Sequence, residues 1–263
     1  MLPHSSTNPF PPIEGTQRTM ASDIRVDRVT LAVDDGTSMD AYVASPGVAK
    51  RAPGMILIPE ALGVNEQMRG LADRWAREGF VAICPDVFHR ASPGFESEQL
   101  DMNVLMPLIR SLTSDGLISD VRACFEWLRA QADVDETKIC AVGFCLGGRA
   151  VYLANSELPL AAAISYYGGS IAPKLLDRAP RMHGPHLFFW GGKDKGIPPE
   201  QHRAVADAMR AAGRTFVDVE FFEANHGFFN ERLPERYNPS AAKQSWALGL
   251  EFVRDALGAN SSS

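Results

Sequence analysis

The stretch Ile139-Cys140-Ala141-Val142-Gly143-Phe144-Cys145-Leu146-Gly147-Gly148 decides the fold. Its first four residues are an apolar run of strand character, and residues 146–155 that follow carry apolar side chains at helical spacing. Between them lies glycine, any residue, nucleophile, any residue, glycine, with cysteine in the nucleophile position. A sharp strand-to-helix turn holds such a residue in a strained backbone, and the glycines let strand and helix approach closely. The sulfur then sits at a helix N-terminus, where unpaired N–H groups and the helix dipole favour thiolate, the reactive form. A cysteine taken alone is more often a small buried core residue. The flanking glycines make Cys145 the candidate nucleophile, whereas Cys84, Cys124 and Cys140 keep the core reading.

Outward from this turn, apolar runs at residues 55–58, 80–84, 161–164, 186–190 and 216–221 alternate with helical patterns at 65–78, 117–132, 200–212 and 241–257. Near-continuous apolarity in the runs implies burial on both faces, as in a parallel sheet covered by helices. Residues 24–31 and 39–43 flank Asp34-Asp35-Gly36, a turn signal that predicts an N-terminal β-hairpin. The expected fold class is α/β, a mostly parallel central sheet with helices on both faces. Functional residues on such a sheet sit in loops leaving the carboxyl ends of strands.

The 263 residues carry a net charge of −6, and 45% are apolar, which excludes a disordered chain. No Lys/Arg block offers the electrostatic footprint of a nucleic-acid partner. No apolar stretch approaches the roughly 18 residues of a membrane span, so no membrane partner is expected. The four cysteines form no CxxC pair and no metal-ligand spacing, which fits a reducing cytoplasm. Residues 1–22 read as a disordered extension or tag, residues 23–258 as one domain, and residues 259–263 as a disordered tail.

A nucleophile needs a base and an orienting acid, which on this architecture follow it in the order acid, then histidine. Asp194 lies in Gly191-Gly192-Lys193-Asp194, after the run ending at Trp190, and His226 lies in Glu223-Ala224-Asn225-His226-Gly227 after the last run. Either residue alone is more often a turn or surface group, but each stands where the fold would deliver it. His89, His183, His186 and His202 lack matching partners, and His183 with His186 has no companion that makes a zinc site. The loop Pro59-Glu60-Ala61-Leu62-Gly63-Val64-Asn65 follows another core strand. Ala61 and Leu146 are the expected backbone donors of an oxyanion hole. Glu60 beside the reacting centre binds a cation, restrains the thiol, accepts its proton, or is a solvated loop acid.

With these residues quoted, the chain resembles the dienelactone hydrolase (carboxymethylenebutenolidase) family of α/β-hydrolases from about Asp23 to Leu257. The resemblance rests on Pro59-Glu60 with Gly63-Val64-Asn65, on Cys84-Pro85-Asp86-Val87-Phe88, on Gly143 to Gly148, on Tyr166-Tyr167-Gly168, on Gly191 to Asp194, and on the Gly227-Phe228 after His226. It implies an α/β-hydrolase fold and a Cys145, His226 and Asp194 triad. It also implies that Glu60 holds the resting thiol and helps to generate thiolate when substrate arrives. The implied reaction is cleavage of a small ester or lactone through a thioester acyl-enzyme. Leu62, Tyr167, Gly227 and Asn230, in or beside these motifs, are the expected substrate-binding residues.

One departure bears on the substrate. Family members anchor a carboxylate with two arginines, one four residues after the histidine and one after the Pro-Asp turn. Here the first position is Asn230, and no arginine lies between Arg90 and Arg110. Arg90, Arg110 and Arg232 read as surface charge, and uncharged esters become the alternative substrates. A thiol redox sensor at Cys145 and a binding protein without turnover are the competing classes; the sensor lacks a resolving cysteine. No cofactor and no metal are expected, because the triad supplies nucleophile, base and oxyanion stabilisation. By family analogy the chain is a monomer.

Overall fold

The structure is a computed structural model that describes residues 24–47 and 51–258. The expected extension at 1–22 and tail at 259–263 lie outside the described residues. In chain order the elements are β1 (Ile24–Ala32), β2 (Ser38–Pro46), β3 (Ala52–Ile58), α1 (Glu66–Arg77), β4 (Val81–Pro85), α2 (Met102–Ser111) and α3 (Ser114–Arg129). Then follow β5 (Val134–Phe144), α4 (Leu146–Asn155), β6 (Ala162–Tyr166), β7 (His186–Gly191), α5 (Pro199–Ala211), β8 (Phe216–Phe221) and α6 (Pro239–Ala256).

The strands form one eight-stranded sheet in the order β1-β2-β4-β3-β5-β6-β7-β8. β1 and β2 are the expected antiparallel hairpin, and β2 runs antiparallel to β4. The remaining pairs are parallel. The hairpin turn is closed by Asp35, whose carboxylate accepts from both the backbone and the hydroxyl of Thr37, while Gly36 takes φ +86°. Alternation along β3 shows how both faces are covered. Met55 and Leu57 join a core with Trp75 of α1 and Trp246 of α6, whereas Ile56 and Ile58 join a core with Val121 of α3 and Val151 of α4. Among the described residues no helix is long and apolar enough to cross a membrane.

Two elements differ from the sequence reading. β8 is an edge strand, so it is not buried on both faces: Val217 is 38% exposed, and the polar residues Asp218 and Glu220 interrupt its apolar run. α2 is absent from the expected helices. Leu105, Leu108 and Ile109 turn toward the core on the α3 side, while Met102 and Val104 face solvent, so apolar residues on the exposed side blur the helical period.

The turn from β5 to α4 is where packing is tightest. A Cβ on Gly143 would lie 2.2 Å from the Gly147 carbonyl oxygen, and one on Gly147 would lie 2.4 Å from the Ile58 oxygen. Both obstacles are backbone and cannot swing away. Gly147→Ala is therefore expected to lower unfolding free energy by about 1–3 kcal/mol through overpacking, read as a lower urea midpoint at unchanged slope. A midpoint equal to wild type would show that β3 and α4 separate easily.

Candidate active site

Cys145 is the N-cap of α4, with φ 55° and ψ −115°. A non-glycine residue held there stores about 1–3 kcal/mol of strain, which the fixed contacts of Gly143 and Gly147 sustain. Its N–H donates to the Tyr166 carbonyl at 3.0 Å, tying the turn to the end of β6. Cys145 is partly exposed, whereas Cys84, Cys124 and Cys140 are buried. Burial pushes those three thiols up, Cys140 to about 12, which leaves them unreactive.

Asp194 and His226 come together from the loops after β7 and β8. His226 Nδ1 lies 2.6 Å from Asp194 Oδ2. Asp194 Oδ1 accepts from the N–H groups of Gly196 and Ile197, so its own turn aims the other oxygen at the imidazole. The carboxylate is 2% exposed and the ring 27%. Cys145 acts on the same ring. Burial opposes a charge on this ring, but Cys145 and Asp194 outweigh it and raise the His226 pKa to about 10. The structure thus brings together the three residues singled out in the sequence.

Glu60 is buried in the loop after β3, and burial raises its pKa against the pull of Asn230, His226 and Arg236. Its carboxylate accepts from Asn230 Nδ2, and the Asn230 amide oxygen accepts from the Arg232 N–H. Asn230 thus holds Glu60. Leu146 carries the first N–H of α4, which has no intrahelical acceptor, and Ala61 N–H makes no loop hydrogen bond among the described residues. Gly63 at φ +73° closes the Ala61 loop; a Cβ there would meet the Phe95 oxygen at 2.1 Å.

The other expected contacts separate. Tyr167, 1% exposed at φ 38°, sets its ring 5.1 Å from that of His226, and the charges of Glu60 and Cys145 both act on its hydroxyl. Gly227, at φ +79°, lies against the Arg236 side chain. Leu62 belongs to the core on the α3 side and is 1% exposed. Three of the four other described histidines have polar neighbours: His89 meets Asp120, His186 meets Ser165 and Asn155, and His202 meets Glu220, while His183 is exposed. None of these clusters includes Cys145. Arg90 pairs with Asp35 and Asp120, Arg232 with Glu66 and Glu98, and Arg110 is exposed.

Two cations near the site escaped the sequence reading. Arg236 acts on Glu60, and Arg149 acts on Cys145. Neither stands at a spacing that marks it in the sequence. A cavity of about 690 Å³ lies between α1 and residues 229–243 and is lined by Phe229 but by none of Cys145, Asp194 and His226.

The sequence model of the dienelactone hydrolase family matches residues 39–257. The chain belongs to this family. It is a hydrolase of the dienelactone hydrolase type, acting on esters or lactones. A carboxymethylenebutenolidase of Pseudomonas putida is 29% identical over 228 residues, covering 86% of this chain and 94% of its own. A Klebsiella pneumoniae protein solved as a candidate dienelactone hydrolase superposes with TM-score 0.80 at 29% identity, covering 88% of this chain and 98% of its own. A dienelactone hydrolase-like promiscuous phosphotriesterase from metagenomic libraries shares the fold, with TM-score 0.80 at 23% identity, covering 89% of this chain and 98% of its own.

Asn230 gives this family site a testable feature. Asn230→Leu removes the donor that Glu60 uses and leaves a buried acid unsatisfied, expected to cost about 1–3 kcal/mol of stability. Thermal unfolding of the variant reads this loss. A melting temperature equal to wild type would mean that Glu60 finds another donor.

Proposed function

We propose that the chain hydrolyses a dienelactone-type ester or lactone by a Cys145, His226 and Asp194 triad through a thioester acyl-enzyme. The observation that carries this reading is the relay from Asp194 through His226 to Cys145 at the strained turn. The thiolate of Cys145 attacks the carbonyl carbon, forming a C–S bond and a tetrahedral oxyanion. The N–H groups of Ala61 and Leu146 hold that oxyanion. As the intermediate collapses the C–O bond breaks, and His226 gives its Nε2 proton to the departing enolate or alkoxide. His226 then takes a proton from water, the hydroxide adds to the thioester, and the C–S bond breaks to return the thiolate. Asp194 keeps the ring oriented and stabilises its charged form throughout.

Glu60 shares this centre, where its carboxyl holds the resting thiol and helps to generate thiolate when substrate arrives; burial raises its pKa, which suits it to take the thiol proton. Small uncharged esters are a second reading, supported by the arginines. Asn230 occupies itself with Glu60, and Arg90 and Arg232 are paired with acids. The free thiols fit action in a reducing cytoplasm.

Dienelactone loss and p-nitrophenyl acetate cleavage, measured side by side, test both readings. Cys145→Ala is expected to abolish turnover of whichever substrate is used, and His226→Ala to lower it by roughly 10²–10⁴-fold. Wild-type rates in Cys145→Ala would overturn the triad. Dienelactone turnover supports a carboxylated substrate, and cleavage of the neutral ester alone supports the second reading. The pH profile is a further check. His226 holds its proton below its raised pKa and loses it above, so kcat/KM is expected to fall as pH passes about 10. A fall centred near the ordinary histidine pKa of about 6.5 would contradict the thiolate–imidazolium pair.

A further inference from the structure

Asn230 is 2% exposed, and its side chain holds Glu60 only if the amide is turned the right way. With its NH2 group toward Glu60 the amide donates to the carboxylate; after a half-rotation it would set oxygen against oxygen. The contact that decides between the two comes from Arg232, whose backbone N–H donates to Asn230 Oδ1 at 2.9 Å. An asparagine that accepts from the N–H two residues on closes a small turn of its own. The direction of the amide therefore follows the backbone at Arg232. Locally that backbone is held by the Asn230 N–H on the Gly227 carbonyl at 3.0 Å and the Leu233 N–H on the Asn230 carbonyl at 3.2 Å.

The Arg232 side chain adds a hold from outside this turn. Its Nε donates to Glu98 Oε2 at 2.7 Å, and its Nη2 lies 2.9 Å from Glu66 Oε2. Glu66 is the first residue of α1, directly after the Glu60 loop. Glu98 lies between β4 and α2, in a segment that is tied to the same loop. There Ser97 N–H donates to the Leu62 carbonyl at 3.0 Å, Asn65 Nδ2 donates to the Ser97 carbonyl at 2.9 Å, and Gly63 forms an antiparallel bridge with Glu96. The contacts thus close a ring that runs from Glu60 to Asn230, to Arg232, to Glu66 and Glu98, and back to residues 62–65. Each ion pair is partly exposed and alone is worth little. Two acids on one planar guanidinium nevertheless fix its direction, because its donors form a rigid fork.

We propose that Arg232 is a positioning residue, which by clasping Glu66 and Glu98 keeps the Asn230 amide turned toward Glu60 and so keeps the Glu60 carboxyl in place for the Cys145 thiol. This rests on the reading of Glu60 as the group that holds the thiol and takes its proton. Arg232 acts through Asn230 and Glu60 rather than on the substrate.

The test is single-turnover release of p-nitrophenolate from p-nitrophenyl acetate with enzyme in excess. The limiting rate reads acylation, and the half-saturating enzyme concentration reads binding. The enzymes compared are wild type, Arg232→Met, the Glu66→Ala/Glu98→Ala pair, Glu60→Gln, and Arg232→Met combined with Glu60→Gln, with circular dichroism on each. Arg232→Met is expected to slow acylation by roughly threefold to tenfold with binding near wild type, as a lost positioning contact does. The alanine pair, which keeps the arginine and removes both acids, is expected to reproduce that loss. On the Glu60→Gln background Arg232→Met is expected to add no more than about twofold, because two residues that act in one chain of contacts are not additive. An equal loss on both backgrounds would overturn the proposal, since it marks general support of the fold. A wild-type rate in the alanine pair would overturn it as well, and so would weaker binding at an unchanged limiting rate, which marks contact with substrate. If Glu60→Gln is slow while Arg232→Met acylates like wild type, only the role of Arg232 falls; if Glu60→Gln itself acylates at the wild-type rate, the reading of Glu60 falls and this proposal with it.

Discussion

The site depends on one backbone contact, the first turn of α4 lying directly on the end of β3. Gly147 has no room for a side chain against Ile58, and Gly143 none against Gly147. Close approach here sets where the helix begins, and with it the φ of Cys145 and the direction of the Leu146 N–H. A second set of bonds holds the helix in place. Ser165 donates to the Gly148 carbonyl at 2.6 Å and meets His186, whose other nitrogen meets Asn155 at the far end of α4. Burial lowers the His186 pKa to about 3, so this histidine is a neutral bracket between strands and helix. The Asp194 and His226 loops are then delivered to Cys145 by β7 and β8, in register with the same sheet.

On the proposed account the chemistry changes one charge at this fixed centre. Once the thiolate has formed, the sulfur and Asp194 hold the His226 proton against burial. Acylation removes the negative sulfur, so the ring loses one of the charges that held its proton. The same histidine is thereby an acid while the leaving group departs and a base when water arrives, with no movement of the backbone. Glu60 biases this balance from a buried position fixed by Asn230.

Much of this was legible in the sequence, for reasons that differ between elements. The nucleophile turn was legible because its glycines are required by local sterics within a few residues. Asp194 and His226 were legible because each follows an apolar run, and the fold places strand ends on one side. Contacts made across long separations were not. Asn230 was expected to touch substrate, but nothing local announced that its amide meets Glu60 across 170 positions of the chain. Arg90 and Arg232 were read as surface charge, and both pair with acids; Arg236, which acts on Glu60, and Arg149, which acts on Cys145, stand at no spacing that marks them in the sequence. The edge position of β8 was likewise invisible, since an apolar run does not reveal whether a further strand pairs with it.

The central claim is that Cys145 carries the acyl group. It is tested most directly by acid-quenching the enzyme during p-nitrophenyl acetate turnover and locating the acetyl group by peptide mass spectrometry. The account predicts acetyl on the Cys145 peptide within a turnover, accumulating further in His226→Ala, where deacylation lacks its base. Acetyl on another residue, or an unmodified Cys145 peptide in an enzyme that is turning over, would contradict it.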